Sequence, residues 1–271
     1  MKLIAWDTSS KIGALTTLEW ERGEQPRLVS EWTLNVETTH SERLLWSIHE
    51  ILTASRWTLE EVDVFGVGIG PGSFTGLRIG VTTARTLSHT LKKPLMGVSS
   101  LSAMVRPAAS WLSQSKEKIL LVGVTDAAKG ELFSIYGAPK ALLDCVVKAD
   151  GDYPGFWKRG VEEEVLAPQV LMKNLKSKLT PDTKWMAIGD GRSRYLDAWK
   201  LLPASREIEA PAIANTGVQG RYLGQLVWEA YQAGLNKPAL KVFPNYARAS
   251  DAEIKLRAGL LHQGPTRGKV H

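Results

Sequence analysis

Two short stretches of this 271-residue chain carry residue types that could do chemistry. Asp7-Thr8-Ser9-Ser10 closes an apolar run, Lys2 to Trp6. A carboxylate and hydroxyls at a strand end can hold a phosphate or order a metal-bound water, and they equally build a turn or a helix cap. Gly70-Pro71-Gly72-Ser73-Phe74-Thr75-Gly76 follows a second apolar run, Val62 to Ile69, and opens a helical pattern. Backbone N–H groups at such a place can cradle an anion. Here Gly70, Gly72 and Gly76 space as G-x-G-x-x-x-G, one residue off the dinucleotide fingerprint, and Leu77 follows Gly76 where a P-loop has lysine. The spacing therefore favours a tight strand-to-helix turn over a nucleotide loop.

Other enzyme chemistries find little support. The histidines are His40, His49, His89, His262 and His271, and none has a partner four residues on: His40 is followed by Leu44. A helical metal pair needs that spacing. H-E-x-x-H and G-x-S-x-G are both absent. The single cysteine, Cys145, excludes an internal disulfide and a cysteine-based zinc site. Ten tryptophans are scattered without clustered Lys or Arg, which reads as core and interface packing rather than a base-stacking groove. Trp46 lies off its helix's apolar stripe, so an exposed position facing a partner is expected for it.

The elements that must position these residues are regular in the first third. Lys2–Trp6, Ile12–Trp20 and Arg27–Asn35 read as strands joined by short turns, an antiparallel meander. A helix follows, with Thr38 or Thr39 as N-cap, Glu42 completing a capping box, and Leu44, Leu45, Ile48, Ile51 and Leu52 as one stripe. Val62–Ile69 is a buried strand, Leu77–Leu91 a helix, Leu95–Val98 a strand, and Leu101–Trp111 a helix. A meander followed by βαβ crossovers is the core of ribonuclease H-like and actin-like domains, whereas Rossmann units alternate from the start. The second part echoes the first. Lys118–Val124 ends at Thr125-Asp126, with Leu132–Tyr136 and Leu142–Val147 as hairpin partners. Glu162-Glu163-Glu164 reads as a solvated face, Val170–Leu179 as a helix, and Trp185–Ile188 as a strand entering Gly189-Asp190-Gly191. Tyr195–Leu202 and Ile213–Gly234 read as helices. The expected class is α/β, an actin-like fold of two related βββαβα subdomains, residues 1–100, open to completion by a C-terminal helix, and 101–235, with a basic, partly ordered tail over 236–271. By analogy with actin-like ATPases, Asp7, Thr8, Ser9, Asp126, Gly189 and Gly191 are the candidate nucleotide contacts.

With 44% hydrophobic and 23% charged residues, disorder of the whole chain is excluded. No apolar stretch approaches the roughly 20 residues that cross a bilayer. The N-terminus is apolar for only four residues before Asp7, so a secretory signal is not expected and a cytoplasmic protein is. The net charge of +6 invites a nucleic-acid reading, yet residues 1–100 hold 10 basic and 11 acidic side chains. The last 35 residues hold 7 and 2.

Several motifs resemble the bacterial TsaB (YeaZ) family. They are Ile4-Ala5-Trp6-Asp7-Thr8-Ser9, Thr39-His40-Ser41-Glu42-Arg43-Leu44-Leu45, Gly70 through Gly80 (GPGSFTGLRIG), and Gly97-Val98-Ser99-Ser100-Leu101. Thr125 through Glu131, Gly189-Asp190-Gly191 and Pro244-Asn245-Tyr246-Ala247-Arg248 agree more loosely, for coverage from about residue 3 to 258. The resemblance implies an actin-like (ASKHA) fold and a role in making N6-threonylcarbamoyladenosine at position 37 of tRNAs that read ANN codons. It implies the non-catalytic dimerisation and scaffold partner of a catalytic paralogue, TsaD, whose metal-binding H-x-x-x-H pair is missing here at His40 and Leu44. It also implies a TsaE-type ATPase as further partner, tRNA met only through the complex, and ATP or ADP and metal held by the partner subunits with no cofactor required by this chain. The contact with TsaD, and a homodimer through the same surface, would use helices at about Thr39–Ala54 and Gly76–Leu91. Glu42, Leu45, Trp46, Leu77, Val81, Ala84 and Ser88 are the expected interface, and no membrane is involved. The competing expectations are an independent actin-like ATPase or kinase-type phosphotransferase, and a stand-alone RNA-binding protein using the basic tail.

Overall fold

The computed structural model describes residues 1–35, 40–144, 162–211, 217–235 and 238–247, with the side chains of 40–42 and 162 outside that description. The expected N-cap Thr38 or Thr39, the Glu42 side chain, Cys145 and the tail beyond 247 all lie outside the described residues.

The first lobe is built on a five-stranded sheet of order β3-β2-β1-β4-β5. The strands are β1 (Lys2–Asp7), β2 (Ile12–Glu19), β3 (Arg27–Asn35), β4 (Val64–Gly68) and β5 (Leu95–Val98). β1, β2 and β3 form the meander, and β4 and β5 join in parallel. The helices are α1 (His40–Ser55) and α2 (Phe74–Leu91). A central strand covered on both faces must be apolar throughout rather than alternating. Leu3, Ile4, Ala5 and Trp6 are all buried, and so is Asp7 at the end of the run. Edge strand β3 alternates instead, and its residues are half-buried or exposed.

Helix α3 (Ser100–Leu112) leads into the second lobe, whose four-stranded sheet has the order β8-β7-β6-β9. Its strands are β6 (Lys118–Asp126), β7 (Leu132–Gly137), β8 (Glu162–Leu166) and β9 (Thr183–Ile188). β6, β7 and β8 are antiparallel, and β9 joins β6 in parallel. The expected duplication is visible here, since β8-β7-β6-β9 repeats β3-β2-β1-β4 in order and direction. In both lobes a glycine at φ 96 follows the parallel strand: Gly70 after β4 and Gly189 after β9. Such a φ is readily adopted only by glycine, so both strand-to-helix turns are fixed by sequence.

The remaining helices are α4 (Pro139–Leu143), α5 (Pro168–Lys178), α6 (Asp190–Arg194), α7 (Leu196–Trp199) and α8 (Gly220–Gln232). Four sequence expectations change. The helix expected over Ile213–Gly234 starts at Gly220, after Gly217 at φ 83 and an extended Gln219. Leu142 and Leu143, expected in a strand, belong to helix α4, where Pro139 at the first turn suits a helix start. Tyr195–Leu202 divides, with Tyr195 at φ −121 interrupting α6 and α7. Glu162–Glu164 lies in β8, and Glu163 and Glu164 are half-buried rather than on a solvated face. Paired opposite Ile135, Glu163 is turned inward, and Glu164 Oε2 accepts from Tyr136 Oη at 2.8 Å.

α8 crosses back onto the first sheet. Leu223, Leu226, Val227 and Ala230 are buried in a core shared with Leu3, Ala5 and Leu18 and with Met104 and Val105 of α3. No helix among the described residues is long and apolar enough to cross a membrane.

Candidate functional site

The glycine stretch and the β1 turn meet face to face. β1 delivers Asp7 at its end, and β4 and α2 deliver the glycine loop beside it. Asp7 Oδ1 accepts from Ser9 N at 2.8 Å and Ser9 Oγ at 2.6 Å, and Oδ2 accepts from Ser100 Oγ. Ser100 Oγ also accepts from Gly70 N at 3.0 Å. Ser73 N donates to Ser9 O at 2.6 Å, and Thr8 Oγ1 donates to Gly76 O at 2.7 Å. A Cβ at Gly72 would meet Ser9 O, at Gly76 the Thr8 carbonyl oxygen, and at Gly80 the Thr8 hydroxyl. The glycines therefore let the N-terminal turn of α2 lie directly on residues 8 and 9. Asp7, Thr8 and Ser9 are all buried beneath it. Ser73 caps α2 by accepting from Gly76 N.

In the second lobe, Asp126 occupies the equivalent strand end. Its Oδ1 accepts from Ala128 N at 3.1 Å and from Tyr195 Oη at 3.2 Å, and Oδ2 pairs with Arg194 Nε at 3.1 Å. Asp190 Oδ1 accepts from Asp126 N at 3.2 Å. Gly189 and Gly191 are buried, with the Val124 carbonyl oxygen lying where a side chain at Gly189 would have to go and Leu132 Cδ2 where one at Gly191 would. The six candidate nucleotide contacts thus fall into two separate clusters, one per lobe, with both carboxylates engaged by neighbouring groups.

The start of α3 joins the lobes. Ser99 Oγ accepts from Ser102 N at 3.1 Å as the helix cap and donates to Glu163 of β8, while the next residue, Ser100, reaches Asp7. Burial pushes the Glu163 carboxyl up to about 7, against the opposing pull of the Ser99 hydroxyl. A carboxyl whose folded pKa lies above its unfolded value, 4.5, stabilises the fold most below pH 4.5 and loses that contribution as the pH rises towards 7. Glu163→Gln keeps an acceptor without the ionisation. Its melting temperature relative to the parent should therefore rise from pH 5 to pH 8, as thermal unfolding across that range would record.

The expected partner surface divides into two. Leu77, Val81, Ala84 and Ser88 are each about 1% exposed or less, and they face inward. Val81 and Ala84 pack with Ile48 and Ile51 of α1 and with Phe65 and Val67 of β4. The interface expected at these four positions is therefore corrected to core, and the small residues of α2 serve close approach to β1 within the chain. Trp6 Nε1 donating to Gly80 O at 3.0 Å shows how near the helix lies. Leu45 and Trp46, by contrast, are 61% and 57% exposed. Trp46 leans against half-buried Trp32 of β3 at 6.5 Å between ring centroids, making one apolar patch on the outer face of α1.

The sequence reading missed a further feature, the return of the C-terminal segment to the glycine loop. Asn245 N donates to Ile69 O at 2.7 Å. Tyr246 packs on Phe74 at 4.8 Å, and the Arg78 guanidinium lies 4.0 Å from the Phe74 ring centre. The residues that make it, Pro244-Asn245-Tyr246, belong to a family-like stretch whose spacing alone gives no place in space.

A family model described as TsaD, tRNA N6-adenosine threonylcarbamoyltransferase, matches residues 34–152. The tRNA threonylcarbamoyladenosine biosynthesis protein TsaB of Haemophilus influenzae is 31% identical over 250 residues, covering 92% of this chain and 94% of that one. This chain belongs to the TsaB family. The Escherichia coli TsaB protein is 27% identical over 224 residues, covering 77% and 84% of the two chains. A Pseudomonas aeruginosa structure described as YeaZ superposes with a TM-score of 0.64 at 20% identity, over 90% of this chain and 99% of that one. That likeness supports the actin-like α/β fold that the two repeated sheets display. Within the TsaB family frame, the glycine stretch is the seal between α2 and the β1 turn, and the exposed apolar patch lies on α1.

Proposed function

We propose that this chain acts in tRNA threonylcarbamoyladenosine biosynthesis as a non-catalytic scaffold subunit. In this reading it binds a TsaD-type catalytic subunit through the outer face of α1 and forms a homodimer through the same face when that partner is absent. The supporting observation is the exposed pair Leu45 and Trp46, backed by Trp32, in a fold whose other α1 and α2 apolar faces turn inward. A Trp and a Leu side by side in solvent fit an aromatic anchor for a partner's groove. An isologous two-fold contact suits a patch on one helix. A TsaE-type ATPase completes the assembly in this reading, and tRNA meets the chain through the complex. The engagement of Asp7 and Asp126 by neighbouring groups favours the scaffold over an independent ATPase or phosphotransferase.

The test is reconstitution of threonylcarbamoyl transfer from TsaD-type and TsaE-type proteins, tRNA, ATP and threonylcarbamoyl-adenylate, with and without this chain. Modified tRNA should accumulate only when the chain is present. Equal product in both arms overturns the proposal, and ATP turnover by the isolated chain, lost on Asp7→Ala, would replace it with the ATPase reading.

A further inference from the structure

The C-terminal segment returns to the first sheet at the edge opposite the Trp46 patch. Trp46 leans on β3, the last strand on one side, whereas Val242 lies against Gly97 of β5, the last strand on the other. Along that second edge, α2 and residues 238–247 build one surface from aromatic rings and arginines. At 3.6 residues per turn, Phe74, Arg78 and Arg85 fall within about 40° of one another around α2 and span about 16 Å along it. The Arg78 guanidinium, lying on Phe74, donates from Nε to Tyr246 Oη at 3.2 Å. Arg85 lies 4.9 Å from the Phe243 ring centre, and its Nη2 donates to Leu240 O at 3.2 Å. Tyr246 and Phe243 remain 39% and 50% exposed.

Charge narrows the choice of partner. Neither residues 70–93 nor residues 238–247 include an aspartate or glutamate. Among the described residues, Arg78 and Arg85 pair with no carboxylate, and exposed Lys241 adds a third cation. Residues 248–271, next in sequence, bring five Lys or Arg against two Asp or Glu, so the sign of the charge is kept. A ring and a hydrogen bond hold each arginine in place, so less side-chain freedom is lost when a ligand arrives. A nucleic-acid duplex offers phosphates but keeps its bases stacked, which leaves the rings unused. A single strand uses both halves of the surface, since its bases can stack on exposed aromatics while its phosphates meet the cations.

We propose that this edge of the first lobe binds single-stranded RNA. Tyr246 and Phe243 stack with bases, and Arg78, Arg85 and Lys241 meet phosphates. The choice of RNA rests on the tRNA reading above, to which the surface adds a direct contact made by this chain.

Fluorescence anisotropy of the full chain with a labelled single-stranded RNA of about 12 nucleotides tests it, with duplex RNA and polyglutamate as comparison probes. The single strand should bind about tenfold or more tightly than either. Phe243→Ala should weaken that binding about tenfold and leave its salt dependence unchanged, as loss of stacking requires. Arg78→Gln and Arg85→Gln should each flatten the slope of log affinity against log salt by about 0.7, as loss of one phosphate contact requires. Trp111→Ala removes an equally exposed aromatic from α3, in the layer on the other face of the sheet, and should change nothing. Duplex RNA or polyglutamate binding as tightly as the single strand overturns the proposal, and so does unchanged binding by folded Phe243→Ala. Arg85→Gln that keeps the RNA but loses a TsaD-type partner in pull-down would give the surface to a protein instead. A failed RNA titration leaves the reconstitution result untouched, so the two readings fail separately.

Discussion

Gly76→Ala lowers the unfolding free energy by about 3 kcal/mol or more, the upper range for forcing extra atoms into a packed interior. Chemical denaturation would show it as a fall in midpoint at unchanged slope. The reasoning starts from one absent side chain. A Cβ at Gly76 would overlap the carbonyl oxygen of Thr8. That oxygen is backbone and cannot swing aside as a side-chain tip could. The helix must back away, and the retreat weakens Thr8 Oγ1 donating to Gly76 O at 2.7 Å and Ser73 N donating to Ser9 O at 2.6 Å. It also disturbs Asp7, buried beneath the turn and relying on Ser9 and Ser100 as donors. Gly23, by contrast, sits in a surface turn with open space around it, and alanine there meets no atom within 4 Å. Its φ of 90 still leaves a strained backbone, so Gly23→Ala should cost about 1 kcal/mol. A Gly76→Ala loss no larger than that of Gly23→Ala would sink the close-contact explanation.

Much of this fold is legible from local pattern. Leu3–Trp6 is apolar throughout because both faces of a central strand are covered, and a continuous apolar run bounded by a turn reports that directly. The repeated order of strands, ending once at Asp7 and once at Asp126, is visible as two similar runs. What the pattern could not supply was direction in space. Leu77, Val81, Ala84 and Ser88 form a clean helical face, but a periodicity says only that the face is buried, not whether its cover is β4 or another chain. The same ambiguity applied to Glu163. A run of three glutamates reads as solvated on composition, yet strand alternation turns the middle one opposite Ile135, where Ser99 answers it. The Arg106–Glu229 pair joins residues 123 positions apart, and no local spacing announces it. Adjacent Ser99 and Ser100 are a related case. One reaches Glu163 in the second lobe and the other Asp7 in the first, so α3 begins as a polar joint between the lobes. Their value lies in two distant partners.

Trp46→Asp should weaken association with a TsaD-type partner about a hundredfold, near 3 kcal/mol, while leaving the melting temperature close to that of the parent. The two halves of this expectation have separate causes. Trp46 is 57% exposed, so the folded monomer loses only its contact with Trp32 and part of a surface patch. At an interface the same side chain would be fully covered, and an aspartate there would place an unpaired charge against apolar surface. Leu45→Arg, one position along at 61% exposure, should behave alike. Val81→Arg is the contrasting variant. Val81 is 1% exposed among Ile48, Ile51, Phe65 and Val67, so an arginine there should cost about 4 kcal/mol as a buried unpaired charge and unfold much of the population. Size-exclusion chromatography, pull-down and thermal unfolding on the three variants separate surface from core. Trp46→Asp and Leu45→Arg should stay folded and lose the partner, and Val81→Arg should lose the fold first. Unchanged pull-down with folded Trp46→Asp would remove the α1 patch from the interface and leave the scaffold contact to be sought elsewhere, with the Phe74, Arg78 and Tyr246 cluster the next surface to probe.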